Sequence, residues 1–114
     1  MALALLKKRK EFLTVARVGL YQVSPSLVIQ CLPREREGLR FGFTASKKVG
    51  NAVQRNFAKR RMRALVSSIS KRETPTSCDL VLIARQEILK RPFNKIEQDY
   101  VKALKKLYKK IGGQ

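Results

Sequence analysis

The stretch "CDLVLIA", from Cys78 to Ala84, holds one charged side chain in a chain where 30% of residues are charged. It is too short for a self-standing helix, and its apolar positions are too continuous for a strand with one wet face. It therefore reads as a buried central or parallel strand, and the rest of the chain must supply its cover. A fold of sheet against helices follows, provided the flanking segments have the right periods.

They do. Residues 7 to 18 show helical spacing, with Phe12, Val15 and Ala16 on the apolar side and Gly19 as a stop. From Leu20 to Leu32 two apolar stretches flank "SPS". Leu27 to Leu32 is the better strand, and Pro25 marks its edge or a bend. Residues 33 to 38 make a polar connection. "LRFGFTAS" then alternates, with Leu39, Phe41 and Phe43 on one face and Arg40, Gly42 and Thr44 on the other. Pairing of that strand with the preceding one, as a hairpin, is the economical expectation. A helix is expected to begin near Asn51 or Ala52 and to end by Lys71, its cap left open, with Ala58, Met62, Leu65, Val66 and Ile69 as its buried stripe. "RETPTS" is a turn, and "RQEILKRPFN" a short helical turn broken around Pro92. Asn94 is the expected N-cap of a last helix whose stripe is Ile96, Tyr100, Ala103, Leu104, Leu107 and Ile111, closed by Gly112 and Gly113. The expected fold is a single α+β domain over residues 1–114, a two-layer sandwich in the order α-β-β-β-α-β-α with a mixed sheet.

Charge narrows the function. Lys and Arg total 26 against 8 acidic residues, a net +18 in 114 residues. That is far above what solubility needs, and it repels itself in a compact state unless a polyanion offsets it. Nucleic acid is the leading candidate, ahead of an anionic membrane surface. Cys31 and Cys78 sit in apolar contexts and read as buried small hydrophobes in a reducing compartment. "MALALLKKRKEF" is too short in apolar residues for a membrane span and has the wrong order for a secretory signal, so the expectation is a cytoplasmic protein with no membrane partner.

Catalytic chemistry is hard to find. There is no histidine, which removes the usual neutral-pH acid-base group and the commonest metal ligand. The eight acids are scattered, and Asp79, at the start of a strand, reads as a turn or cap residue before it reads as a metal ligand. "KKVGNAVQRN" lacks the glycine spacing and terminal Lys-Ser/Thr of a phosphate loop. No catalytic residue and no metal ligand is assigned. The chain reads as a binder, with a two-carboxylate metal nuclease as the remote alternative.

The binding surface is expected in "SKKVGNAVQRNFAKRRMRAL", Ser46 to Leu65, with seven basic side chains and no acidic one. At about 100° per residue, Asn56, Lys59, Arg60 and Arg63 gather on a face beside the apolar stripe. Arginine clamps phosphate oxygens with several donors and lysine adds a point charge, so such a face contacts several phosphates at once. Asn56 either reads a base edge or sugar hydroxyl or makes an internal hydrogen bond.

This stretch resembles the signature of the bacterial ribonuclease P protein subunit, with Lys47, Lys48, Gly50, Asn51, Ala52, Val53, Arg55, Asn56, Lys59, Arg60 and Arg63 at that family's characteristic offsets. "EFLTVARVG", "RFGFTASKK" and "DLVLIAR" extend the similarity over nearly the whole chain. One departure is Phe57, where many members have a further basic residue. The resemblance implies a protein subunit of an RNA-based endoribonuclease that removes the 5′ leader from precursor tRNA. Its partners would be the catalytic RNA subunit and precursor tRNA, and its Mg²⁺ would be held mainly by that RNA. Lys47, Lys48, Arg55, Asn56, Lys59, Arg60 and Arg63 would contact the catalytic RNA. A cleft between the sheet and the first helix would receive the single-stranded leader at Phe12, with Ala16 and Gln30 standing where some members have further aromatics. The resemblance also implies a left-handed crossover around the basic helix, against the usual rule. A ribosomal-type RNA-binding scaffold without processing activity is the alternative.

Overall fold

The structure is a computed structural model that describes residues 4–35, 38–69 and 77–112. Helix α1 (Arg9–Val18) leads into strands β1 (Leu20–Val23), β2 (Leu27–Pro33) and β3 (Gly38–Thr44). Helix α2 (Ala52–Ser68), strand β4 (Ser77–Ala84), a short 3₁₀ helix (Gln86–Leu89) and helix α3 (Phe93–Gly112) follow. The order α-β-β-β-α-β-α and the mixed sheet are as expected. The expected turn at 72–76, the last residues before it and Gly113 lie outside the described residues.

The sheet order is β1-β2-β4-β3. β1 and β2 form an antiparallel hairpin across the Pro25 bend, β4 runs antiparallel to β2, and β3 runs parallel to β4. The expected hairpin between β2 and β3 is therefore absent. The apolar β4, with Leu80 and Leu82 fully buried, inserts between them and takes the most covered position in the sheet. Chain order lost to burial: only a central place covers both faces of such a strand.

One sheet face carries Leu27, Ile29, Cys31, Phe41, Cys78, Leu80 and Leu82 against the stripes of α2 and α3. Ala58, Met62, Leu65 and Val66 of α2, and Ile96, Tyr100, Ala103, Leu104 and Leu107 of α3, are buried, while Ile69 and Ile111 pack at the margin. Both stripes are as the spacing predicts. Both cysteines are buried and free. The neighbouring Cys31 thiol, together with burial, pushes the Cys78 thiol well above its ordinary value. The other face holds a smaller cluster of Leu6, Val15 and Val81, with Phe12, Leu32 and Ile83 against it, under α1.

α1 is pinned by charge as well as packing. The Glu11 carboxylate accepts from the backbone N–H groups of Lys7 and Lys8, both at 3.1 Å, closing the helix start. Its second oxygen accepts from Arg40 Nη1 at 2.8 Å. Arg40 in turn grips Asp79 through Nε and Nη2, each at 2.9 Å, and Arg34 Nη1 reaches the same carboxylate at 2.8 Å. Asp79 is thus neither turn nor cap residue. It is a buried β4 carboxylate neutralised by two arginines, which a charge at that depth requires.

Two other local expectations change. α3 starts at Phe93 and not after Asn94: the Pro92 carbonyl accepts from the Lys95 and Ile96 N–H groups, putting Asn94 inside the first turn. The N-terminal segment, expected only to be non-membranous, pairs with the outer edge of β3, where Leu6 N donates to Phe41 O at 2.7 Å and Phe41 N to Ala4 O at 2.9 Å. It covers an edge that would otherwise be open to pairing with other chains.

Candidate nucleic-acid interface

The entry to α2 is built from four residues of the basic motif. Gly50 has φ +154°, in the region that side-chain-bearing residues rarely adopt, and a Cβ there would lie 2.0 Å from Gln54 Oε1. The space serves a reciprocal cap: Asn51 Oδ1 accepts from Gln54 N at 2.9 Å, and Gln54 Oε1 accepts from Asn51 N at 2.8 Å. Arg55 folds back so that Nη1 donates to Gly50 O at 3.0 Å. The preceding turn is anchored by Val49, which is buried, while Lys47 and Lys48 within it are exposed. The first turn of α2 contains no acidic residue to offset the positive end of the helix dipole.

Along α2 the expected basic face is present. Asn56, Arg60 and Arg63 are exposed, and Arg55 and Lys59 are half-buried at the margin of the core stripe. Arg63 lies 5.7 Å from the ring centroid of Phe43, an aromatic support that orients its guanidinium. Among the described residues no ion pair uses a cation of α2; those present join Arg34, Arg40, Lys90 and Arg91 to acids elsewhere. Asn56 makes no side-chain bond among the described residues that would settle it as an internal brace.

Arg61 is different. It donates from Nη1 to Ile88 O at 2.8 Å and sits 5.4 Å and 5.8 Å from the rings of Phe57 and Phe93. Phe57, the departure from the motif, thus packs against an arginine that ties α2 to the 3₁₀ helix.

Phe12, Ala16 and Gln30 all belong to the α1 side of the sheet. Phe12 is pressed onto β3, where Gly42 lacks the Cβ that would strike Phe12 Cε2 at 2.5 Å. It is part of the small cluster and only partly open. Ala16 is exposed on α1, and Gln30 is half-buried on β2.

Acidic groups suited to a resident metal are lacking here. The carboxylates of Glu11, Asp79 and Asp99 are engaged by arginine, and the described residues contain no group of three or more His, Cys, Asp or Glu that could hold an ion. Among the described residues the side chains do not fit a protein-held Mg²⁺. No helix among the described residues is long and apolar enough to cross a membrane.

Fold and surface together define a small, strongly basic α+β protein with a capped helix, α2, that presents a basic face. The family described as ribonuclease P matches residues 2–108. The chain is 41% identical over 107 residues to the ribonuclease P protein component of Paramagnetospirillum magneticum, covering 90% of this chain and 80% of that one. It is 45% identical over 102 residues to that of Gluconacetobacter diazotrophicus, covering 89% and 88%. The structure of the Staphylococcus aureus RNase P protein superimposes with a TM-score of 0.76 at 27% identity, over 91% of this chain and 94% of that one. The Thermotoga maritima RNase P protein shares the fold, with a TM-score of 0.78 at 24% identity over 89% and 94%. The chain belongs to the ribonuclease P protein family. Its function is that of a protein component of this tRNA-processing ribonucleoprotein nuclease.

Proposed function

We propose that the chain works through two surfaces, one for the catalytic RNA and one for the 5′ leader of precursor tRNA. The basic face of α2, with Asn56, Arg60 and Arg63 exposed and Arg55 and Lys59 at its margin, and the turn carrying Lys47 and Lys48, bind the catalytic RNA. The observation that carries this is the absence, among the described residues, of any carboxylate paired with α2's cations. Their charge is left for phosphates outside the protein, and binding is then steeply salt-dependent. The sheet face beside α1, with Phe12, Ala16 and Gln30, receives the single-stranded leader. The active site and its Mg²⁺ belong to the RNA, the protein supplies no catalytic side chain, and the setting is cytoplasmic.

Purified protein added to its cognate catalytic RNA at low Mg²⁺ should raise the rate of precursor-tRNA cleavage; no stimulation overturns the assignment. A scaffold without processing activity would bind precursor and mature tRNA alike. Preference of the reconstituted complex for the leader-bearing form separates the two.

A further inference from the structure

The sheet register lines up one row of residues across the α1 side: Tyr21 pairs with Gln30, Gln30 with Val81, and Val81 with Gly42. Paired residues point to the same face, so the row is a physical line about 14 Å long, three interstrand steps of ~4.8 Å. Its Gly42 end lies under Phe12. Its Tyr21 end is open: Tyr21 is 60% exposed on β1, the strand that pairs on one side only.

The next row is Val23, Val28, Ile83 and Thr44. Val23 is exposed, and Val28 and Ile83 are half-buried, so an apolar floor borders the tyrosine. Lys110 of α3 reaches around the sheet edge, donating from Nζ to Tyr21 O at 2.9 Å, with the ammonium 5.8 Å from the ring centroid. An exposed ring, an apolar floor and an adjacent cation are what a single-stranded nucleotide uses: a face for the base and a charge for the phosphate.

We infer that Tyr21 is a stacking platform for a base of the single-stranded leader, with Lys110 at the accompanying phosphate. The inference rests on the leader surface proposed above. Tyr21 is the register partner of Gln30 one strand over, on the same sheet face. With Gly42 and Val81 covered by α1, the leader reaches Tyr21 along the more open row of Thr44, Ile83, Val28 and Val23.

The test uses the holoenzyme reconstituted from the full chain and its catalytic RNA. Equilibrium binding is measured for precursor tRNA with a one-nucleotide leader and with a leader of several nucleotides, for wild type, Tyr21→Leu and Tyr21→Phe. Stacking is worth ~1–3 kcal/mol per base, so Tyr21→Leu should weaken the long-leader substrate by about 5- to 150-fold. The one-nucleotide substrate should be unaffected, and Tyr21→Phe should bind as wild type. A 2-aminopurine in the leader should be quenched by wild type and Tyr21→Phe but not by Tyr21→Leu. Wild-type discrimination between leaders that persists in Tyr21→Leu, or equal weakening of both substrates, overturns the role of Tyr21 alone. A wild-type complex that does not distinguish the two leaders overturns the leader surface itself.

Discussion

Replacing Gly50 by alanine tests how the basic motif is held in shape. Two separable costs apply. Positive φ in this region costs a side-chain-bearing residue about 1–3 kcal/mol. The new Cβ, 2.0 Å from Gln54 Oε1, also evicts the Gln54 side chain and with it the hydrogen bond from Asn51 N, worth ~0.5–1.5 kcal/mol. Together they come to about 1.5–4.5 kcal/mol, a fall of roughly 6–18 °C in Tm at ~4 °C per kcal/mol for a domain this size. Gly38 is the internal control: its φ is +126°, but a Cβ there meets nothing within 4 Å, so Gly38→Ala suffers the conformational cost alone. Gln54→Ala removes the obstructing side chain, so the penalty of Gly50→Ala should shrink by about 1 kcal/mol in that background. Thermal and urea denaturation of Gly50→Ala, Gly38→Ala, Gln54→Ala and the Gly50/Gln54 double variant give the whole cycle. Strict additivity, or a Gly50→Ala penalty no larger than that of Gly38→Ala, would refute the idea that the glycine makes room for the cap.

Four other perturbations probe structural and RNA-facing roles. Arg61→Ala loses a bond to the Ile88 carbonyl and two aromatic contacts, and should cost ~1–3 kcal/mol in urea denaturation without changing the salt dependence of RNA binding. Arg60→Ala should do the reverse, with stability within ~0.5 kcal/mol of wild type and a salt slope reduced by about one. The N–H groups of Lys8 and Lys7, with Arg40, hold the Glu11 carboxyl down to about 2. The contribution of a carboxyl lowered on folding is complete above its unfolded value near 4.5 and fades as pH falls toward 2. Glu11→Gln should therefore flatten stability between those pH values, as read from denaturation midpoints across the range. Tyr100 is buried with a hydroxyl that finds no partner among the described residues, so Tyr100→Phe should raise stability by ~1 kcal/mol or more, seen as a higher urea midpoint.

Much of this architecture was legible because burial repeats with a fixed period. The stripes of α2 and α3 follow 3.6-residue spacing, and the alternation of β3 follows a period of two, so composition could not hide them. The cap of α2 was legible too, since Asn51 and Gln54 stand at capping-box spacing, but the expectation left it open. Strand neighbours were not: nothing local in β2 or β3 says that β4 will separate them. The Glu11–Arg40–Asp79–Arg34 chain was equally hidden, because its members meet only once the sheet is assembled. Tyr21 carries no periodic signal at all, and only the register with Gln30 gives its position meaning. The basic face was the clearest part of the candidate site, because charge and spacing coincide on a single helix.

The central position of β4 also orders events during synthesis. The β1–β2 hairpin and β3 leave the ribosome with nothing to join them, and the strand that does so is made only after all of α2. At ~5–20 residues per second, the stretch from Gly38 to Ala84 takes a few seconds. Within that interval the cationic helix is made while the two halves of the sheet still present unpaired edges. The nascent chain is thus a polycation before it is a folded protein, and it meets the RNA-rich surroundings of the translating ribosome in that form.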